Sequence, residues 1–253
     1  MRIENINRVE PFITKDGSEI RELAGTPTGN SLHQSLAEAT VAAGAETEEH
    51  YHEVTEEIYF FTAGSGVMKL GDEETRVSAG DTVVIPPGTR HKLWNTGTEP
   101  LKLLCCCAPP YSHEDTVLAS QENVEVVRRG WDAWIGGDLD AVFEVFDPAV
   151  EWDTTRLEGW PEDEVYYGHE GIRQFFDGWL ASWERYESGV EEYLDAGDDR
   201  VVVICWQRGY GPGSHVRVQM DFAQVCTLKG GLVCRLEAYS DRDEALKAVG
   251  LQR

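Results

Sequence analysis

Three histidines and one glutamate are spaced so that they could share one metal ion. His50 and His52 stand two apart, Glu57 follows, and His91 comes soon after a Pro86-Pro87-Gly88 turn. On a strand, side chains two apart share a face, so His50 and His52 point the same way. His52 and Glu57 are an odd number apart and would face oppositely on one unbroken strand. A turn in Glu53-Val54-Thr55 must therefore break the strand and restore the register. Pro86 and Gly88 form a second turn, from which a strand starts at His91. Three imidazoles and one carboxylate suit one divalent transition-metal ion per chain, Fe or Mn first, with Ni, Zn and Cu compatible. Four protein ligands on an octahedral ion leave positions open for a substrate or dioxygen. Asn95 lies an even step from His91 and faces inward, either to orient a ligand or water or to bond backbone. Tyr59 and Phe61 share the Glu57 face of the next strand.

Glycines frame these residues at fixed offsets. Gly44 precedes His50 by five intervening residues, Gly64 follows Glu57 by six, and Gly80 precedes Pro86 by five. This two-part pattern resembles the signature of the cupin superfamily, of the small germin-like or mannose-6-phosphate-isomerase-like kind. The resemblance implies an all-β double-stranded β-helix, or jelly roll, with the metal on His50, His52, Glu57 and His91. The competing reading is a barrel that keeps these residues and binds no ion.

The elements around the motif fit that architecture. Ser31 to Val41 alternates as a half-buried strand, with Gln34 and Glu38 on one face as candidates to look into the pocket. Val67–Leu70 and Thr75–Val77 make a hairpin across Gly71-Asp72. Further short strands follow at Thr82–Ile85, Lys92–Asn95 and Leu101–Ala108. The consecutive Cys105, Cys106 and Cys107 lie on the last of these. Alternation sends Cys105 and Cys107 one way and Cys106 the other. All six cysteines read as buried reduced thiols; the sharper alternative has one of the trio facing the metal. Ala108 to Asp115 carries two prolines and reads as a linker, with a flap offering Tyr111 or His113 as the alternative.

From Ser120 the apolar period changes from two to about 3.6. Val124, Val127, Trp131 and Trp134 form one helical stripe, with Ser120 as a candidate cap. Asp138 can cap a second helix that ends before Pro148. A short strand spans Val150 to Trp152, and a loop runs through Pro161. A third helix carries Ile172, Phe175, Phe176 and Trp179, with His169 near its start as a cap. Strands at Val190–Leu194, Val201–Arg208, Val216–Leu228 and Leu232–Tyr239 precede a terminal helix over Asp241–Val249. This order resembles the SnoaL-like branch of the nuclear-transport-factor-two-like superfamily. The resemblance implies an α+β cone-shaped barrel with a curved antiparallel sheet, an internal pocket and, often, dimerisation. The expected domains are therefore 1–118 and 119–253.

Strand parity selects the candidate residues of that second pocket. Arg235, Glu237 and Tyr239 share one face, where a guanidinium beside a carboxylate could serve acid–base work; an ordinary solvated ion pair is the competing reading. Gln224 is the polar exception in an apolar row. Trp152 and Trp206 are candidate walls.

Bulk composition narrows the partners. The 253 residues include 46 acidic and 22 basic side chains, a net charge of −24. Nucleic acid and anionic membranes need a basic footprint, so neither is an expected partner. No apolar run approaches membrane-spanning length and the start lacks a signal region, so the expectation is a cytoplasmic protein. The expected function is a metal-dependent cupin enzyme acting on a small-molecule substrate, with oxygenase chemistry, as a homodimer. Two rivals are a non-catalytic ligand-binding or sensing protein, and a cyclase, isomerase or hydratase with its chemistry in the second domain.

Overall fold

The computed structural model describes residues 3–158, 164–197 and 199–251. The chain divides into two compact units, Met1–Ala119 and Ser120–Arg253. The loop expected through Pro161 lies outside the described residues. Among the described residues, no helix is long and apolar enough to cross a membrane.

The first unit is built from strands β1 (Phe12–Ile13), β2 (Glu19–Ala24), β3 (Ser35–Val41), β4 (His50–His52), β5 (Glu56–Ala63), β6 (Ser65–Leu70), β7 (Glu73–Ser78), β8 (Thr82–Ile85), β9 (His91–Trp94), β10 (Leu101–Ala108) and β11 (Thr116–Leu118). They form two sheets, ordered β1-β2-β3-β10-β5-β8 and β11-β4-β9-β6-β7. Alternate residues of β5 and β10 are buried, so Tyr59, Phe61, Leu101, Leu103 and Cys105 fill the core with Met68, Ile85 and Leu93. Sheets with one apolar face each gain stability by closing on one another in this way.

Two glycines of the motif show why a side chain is excluded there. Gly64 has φ +79°, and a Cβ built on it would lie 2.7 Å from the Pro100 carbonyl oxygen. Gly88 has φ +73°, and its N–H donates to His52 O at 2.7 Å, tying the Pro86-Pro87 turn to the end of β4. Only glycine occupies such φ values without strain.

The strand expected over Ser31–Val41 is shorter than its alternation suggested. It starts at Ser35, and Ser35, Ala37, Ala39 and Val41 face the interior cavity. Gln34 is exposed, and Glu38 points the other way into ion pairs with Arg21 and Lys102. Neither enters the pocket, because pairing with β10 fixes the odd-numbered residues inward.

The second unit contains α1 (Ala119–Gly136), α2 (Leu139–Glu144), β12 (Phe146–Arg156), β13 (Val165–Tyr167), α3 (Gly168–Ala181), β14 (Glu184–Asp195), β15 (Arg200–Tyr210), β16 (Arg217–Lys229), β17 (Leu232–Tyr239) and α4 (Arg242–Ala248). The sheet order is β13-β12-β17-β16-β15-β14. It is mixed rather than purely antiparallel, because β12 and β17 run parallel. One sheet face packs against α1, α2 and α3 through Val127, Trp131, Phe143, Ile172 and Phe176. The other packs against α4 through Val202, Ile204, Tyr239 and Leu246. Asp138 and Asp241 cap α2 and α4 as their positions dictate, each carboxylate accepting a backbone N–H three residues on. Ser120 is not a cap; it lies inside the first turn of α1.

Candidate metal centre

The strand break expected between His52 and Glu57 does more than restore register. β4 ends at His52, and β5 begins at Glu56 in the other sheet. Asp115 stabilises the crossing by accepting the N–H groups of Val54 and Thr55 at 2.9 and 3.1 Å. All three histidines therefore come from one sheet, where His50 pairs directly with His91, and Glu57 comes from the other. One candidate ligand atom from each lies within 4.8 Å of all the others. All four residues are buried, His91 to 1% exposure.

The outward ring nitrogens are already engaged. His50 Nδ1 lies 2.9 Å from Glu48 O, and His91 Nδ1 lies 3.1 Å from Thr89 O. A carbonyl can only accept, so both Nδ1 atoms donate and both Nε2 atoms carry lone pairs. His52 Nδ1 lies 3.2 Å from Thr116 Oγ1, whose own proton goes to Ser112 O at 2.8 Å. The same tautomer follows for His52. Its Nε2 then faces Glu57 Oε2 at 3.1 Å, two acceptors in contact, an arrangement completed by a proton or a cation between them. His91 Nε2 is buried without a hydrogen bond, 3.5 Å from the same oxygen. Orphaned lone pairs of this kind, with the opposite nitrogens held by two carbonyls and a hydroxyl, fit a divalent metal.

The electrostatics favour the metal-ready forms at neutral pH. Burial, then the neighbouring His91, lowers His50 from 6.5 to about 4, leaving it neutral. Burial alone would raise the Glu57 carboxyl, but the neighbouring His52 and His91 rings outweigh it and hold it well below the usual carboxylate range.

The cluster opens on a cavity between the sheets, with about 660 Å³ of empty space including its mouth. Tyr59 lines it, 5.8 Å from His91 ring to ring, as its parity with Glu57 predicts. Asn95 does not. Its amide donates to Val41 O and Glu99 O and accepts from Gly97 N, so all three bonds go to backbone. The Ala108–Asp115 segment is more than a linker, for Tyr111 lines the cavity with its ring 5.9 Å from that of His52.

Cys105 and Cys107 both face the cavity, and Cys107 Sγ donates to Glu57 Oε1 at 3.3 Å. That bond leaves Oε2 for the histidines. Burial and the nearby Glu57 push the Cys107 thiol far up, so it is a protonated donor. All six cysteines are free; they are not all buried, because Cys106 is exposed and Cys234 partly so.

Asp16 escaped the sequence reading. It lies at the turn between β1 and β2, 8% exposed, lining the same cavity. Its Oδ1 accepts from Thr14 Oγ1, Ser18 Oγ and Ser18 N. The Asp16-Gly17 turn was its only signal.

In the second unit the sharing of a face by Arg235, Glu237 and Tyr239 holds, but the face is the wrong one. Val233, Leu236 and Ala238 line the interior cavity. Arg235 and Glu237 join Glu151, Asp153 and Arg156 in a partly exposed ion-pair cluster. Tyr239 packs against α4. The physical reason is that the row Leu236 and Ala238 supplies the apolar surface, and the charged row goes outward. Trp206 also lies outside, stacked under Arg208. Gln224 and Trp152 do line the cavity. His169 sits in the first turn of α3, its Nε2 donating to Phe146 O at 3.1 Å.

Comparison with known proteins gives two family matches, a Cupin domain over residues 37–107 and a SnoaL-like domain over 127–236. The uncharacterized protein MJ1618 of Methanocaldococcus jannaschii is 52% identical over 110 residues, covering 44% of this chain and 88% of the relative. Protein SchB of Streptomyces halstedii is 30% identical over 93 residues, covering 37% and 67%. The tetracenomycin polyketide synthase protein TcmJ of Streptomyces glaucescens is 24% identical over 95 residues, covering 38% and 64%. A crystal structure of a predicted oxalate decarboxylase from Thermotoga maritima is 22% identical with a TM-score of 0.39, covering 43% of this chain and 99% of that one.

Proposed function

We propose that this chain, which belongs to the cupin family through its first domain and carries a SnoaL-like domain after it, is a metal-dependent enzyme that acts on a small organic substrate by oxygenase chemistry. One observation carries the reading: three inward imidazole nitrogens and Glu57 Oε2 converge at a cavity, with each Nδ1 engaged elsewhere. His50, His52, Glu57 and His91 would hold the ion, Fe or Mn by preference. When bound, it supplies Lewis acidity and open positions for substrate.

The chain's own residues do the rest. Glu48, Thr89 and Thr116 fix the ring orientations. Cys107 turns Glu57 so that one oxygen faces the histidines. Tyr111 and Asp16 are among the polar side chains that line the cavity where a substrate would sit. The polyketide synthase name borne by TcmJ supports an oxygenated, carbonyl-rich substrate.

A homodimer belongs to the same proposal, and light scattering tests it. Phe60 and Val84, 43% and 51% exposed on neighbouring strands, offer an apolar surface for it.

The test of function is metal analysis together with mass spectrometry of co-purifying small molecules. A recovered compound is returned to Fe(II)- or Mn(II)-loaded protein while dioxygen is followed. Turnover with dioxygen uptake is expected. Turnover without uptake overturns the oxygenase assignment, and recovery of the compound unchanged favours a binding or sensing protein.

A further inference from the structure

Asp16 is a buried carboxylate outside the four-residue cluster, and its two oxygens are engaged very differently. Oδ1 accepts three donors: Thr14 Oγ1 at 2.6 Å, Ser18 Oγ at 2.8 Å and Ser18 N at 3.2 Å. Oδ2 takes no hydrogen bond, and no Lys or Arg pairs with it among the described residues. The adjacent cation is spent elsewhere, since Lys15 Nζ donates to His113 O and Thr116 O. The turn is anchored next to the histidines. Glu48 N donates to Asp16 O at 2.8 Å, and Glu48 O accepts from His50 Nδ1. Asp16 precedes residues 37–107, the span of the Cupin match.

Most other polar side chains of the cavity are occupied. Ser35 Oγ and Thr47 Oγ1 accept the N–H groups of Tyr111 and Leu93, and Thr116 Oγ1 donates to Ser112 O. Tyr111 Oη is buried without a hydrogen bond, but a hydroxyl both donates and accepts, so it welcomes either kind of partner. A carboxylate oxygen only accepts. Discrimination between a donor and an acceptor on the ligand therefore falls to Asp16.

We propose that Asp16 is the specificity-determining residue of this cavity, selecting a substrate that presents an uncharged hydroxyl to Oδ2 and rejecting one that presents a carboxylate there. The proposal rests on the metal-binding reading above. A carboxylate in the cavity would face Asp16 and Glu22, which also lines it. An ammonium would face a dication held by the histidines. A hydroxyl meets neither repulsion and gains a charge-assisted hydrogen bond. The turn bonds on Oδ1 keep the side chain in one orientation, so the open acceptor is fixed before a substrate arrives.

The test uses the full chain loaded with Co(II), whose visible bands report ligands reaching the ion. The probes are three 5-hydroxy-4-pyranones with one chelating head and different groups at carbon 2: kojic acid with hydroxymethyl, allomaltol with methyl and comenic acid with carboxylate. Kojic acid should bind roughly 10-fold or more tighter than allomaltol, and comenic acid weakest. Asp16→Asn keeps an oxygen for the three turn donors and turns the open atom into a donor. Comenic acid should then gain roughly 10-fold or more relative to kojic acid. Asp16→Ala serves if Asp16→Asn fails to fold by circular dichroism, and should erase the difference between kojic acid and allomaltol. Comparing each ratio between wild type and variant cancels the probes' own affinities for Co(II). Tightest binding of comenic acid by the wild type, or ratios unchanged in a folded variant, would overturn this inference alone. A chain that binds no Co(II) would overturn the proposed function and this inference with it.

Discussion

Adding a metal should raise the melting temperature of the first unit by an amount set by its size. A ligand at 1,000 times its Kd stabilises the folded state by about 4.1 kcal/mol. Unfolding entropy near 60 °C is about 2.1 cal/mol/K per residue. For the 119 residues of Met1–Ala119 that amounts to about 0.25 kcal/mol/K, so saturating Mn(II) or Fe(II) should shift the transition by roughly 15 °C. Glu57→Gln keeps the shape of the side chain and removes its charge. If that weakens binding about 100-fold, the same metal concentration is only ten times Kd, stabilisation falls to about 1.4 kcal/mol, and the shift shrinks to roughly 5 °C. The assay is scanning calorimetry of EDTA-treated protein with and without added metal, each variant compared with its own metal-free baseline. The second-unit transition serves as an internal reference that should not move. Two results would refute the reasoning. One is no shift with Fe, Mn, Ni, Cu or Zn. The other is an undiminished shift when His50, His52 and His91 are all alanine.

Four further expectations follow from particular contacts. In metal-free protein His50 is neutral down to about pH 4 but titrates near 6.5 once unfolded, so the unfolded state binds more protons in between. Stability should therefore be full above pH ~6.5 and fall as pH drops towards 4, by on the order of 3 kcal/mol, a loss that His50→Gln should suppress in urea titrations. Cys107→Ala removes the donor that turns Glu57 and should weaken metal binding by roughly 10- to 100-fold, with partial recovery in Cys107→Ser; titration with Co(II), followed by its absorption bands, reads both. Gly64→Ala, at φ +79° and against the Pro100 carbonyl, should cost more than about 2 kcal/mol in denaturant midpoints, whereas Gly71→Ala, at φ +58° with open space around it, should cost less. Glu237→Gln, on the outer ion-pair cluster, should change stability by less than ~1 kcal/mol, read from urea midpoints.

The convergence of three histidines and a glutamate was legible because glycines, prolines and alternation constrain it locally. His50, His52, Glu57 and His91 each sit within a few residues of the turn that aims them. Asp16 and Tyr111 were harder. They reach the cavity from a hairpin and a connecting segment whose placement depends on residues far away in sequence, such as Tyr111 N donating to Ser35 Oγ across 76 positions. For β17 the grouping by parity was sound, since alternation is a backbone property. Which row faces inward is decided by the other elements: helices α1 to α3 cover one face of the sheet and α4 the other. No local pattern in Leu232–Tyr239 announces that. The parallel pairing of β12 with β17 was equally invisible, because strand direction in a sheet is set by chain connections.

The division of ligands between two sheets separates a fixed tripod from a movable arm. His50 and His91 face each other as a cross-strand pair of β4 and β9, and His52 follows two residues on along β4. Glu57 approaches from the opposing sheet. A relative displacement of the two sheets would leave the spacing among the imidazoles unchanged and shift only the carboxylate. The contact of a bound ion with Glu57 would therefore be the one most sensitive to such a displacement. A substrate that wedges the cavity open would lengthen that same bond, coupling occupancy of the cavity to the strength of the Glu57 contact.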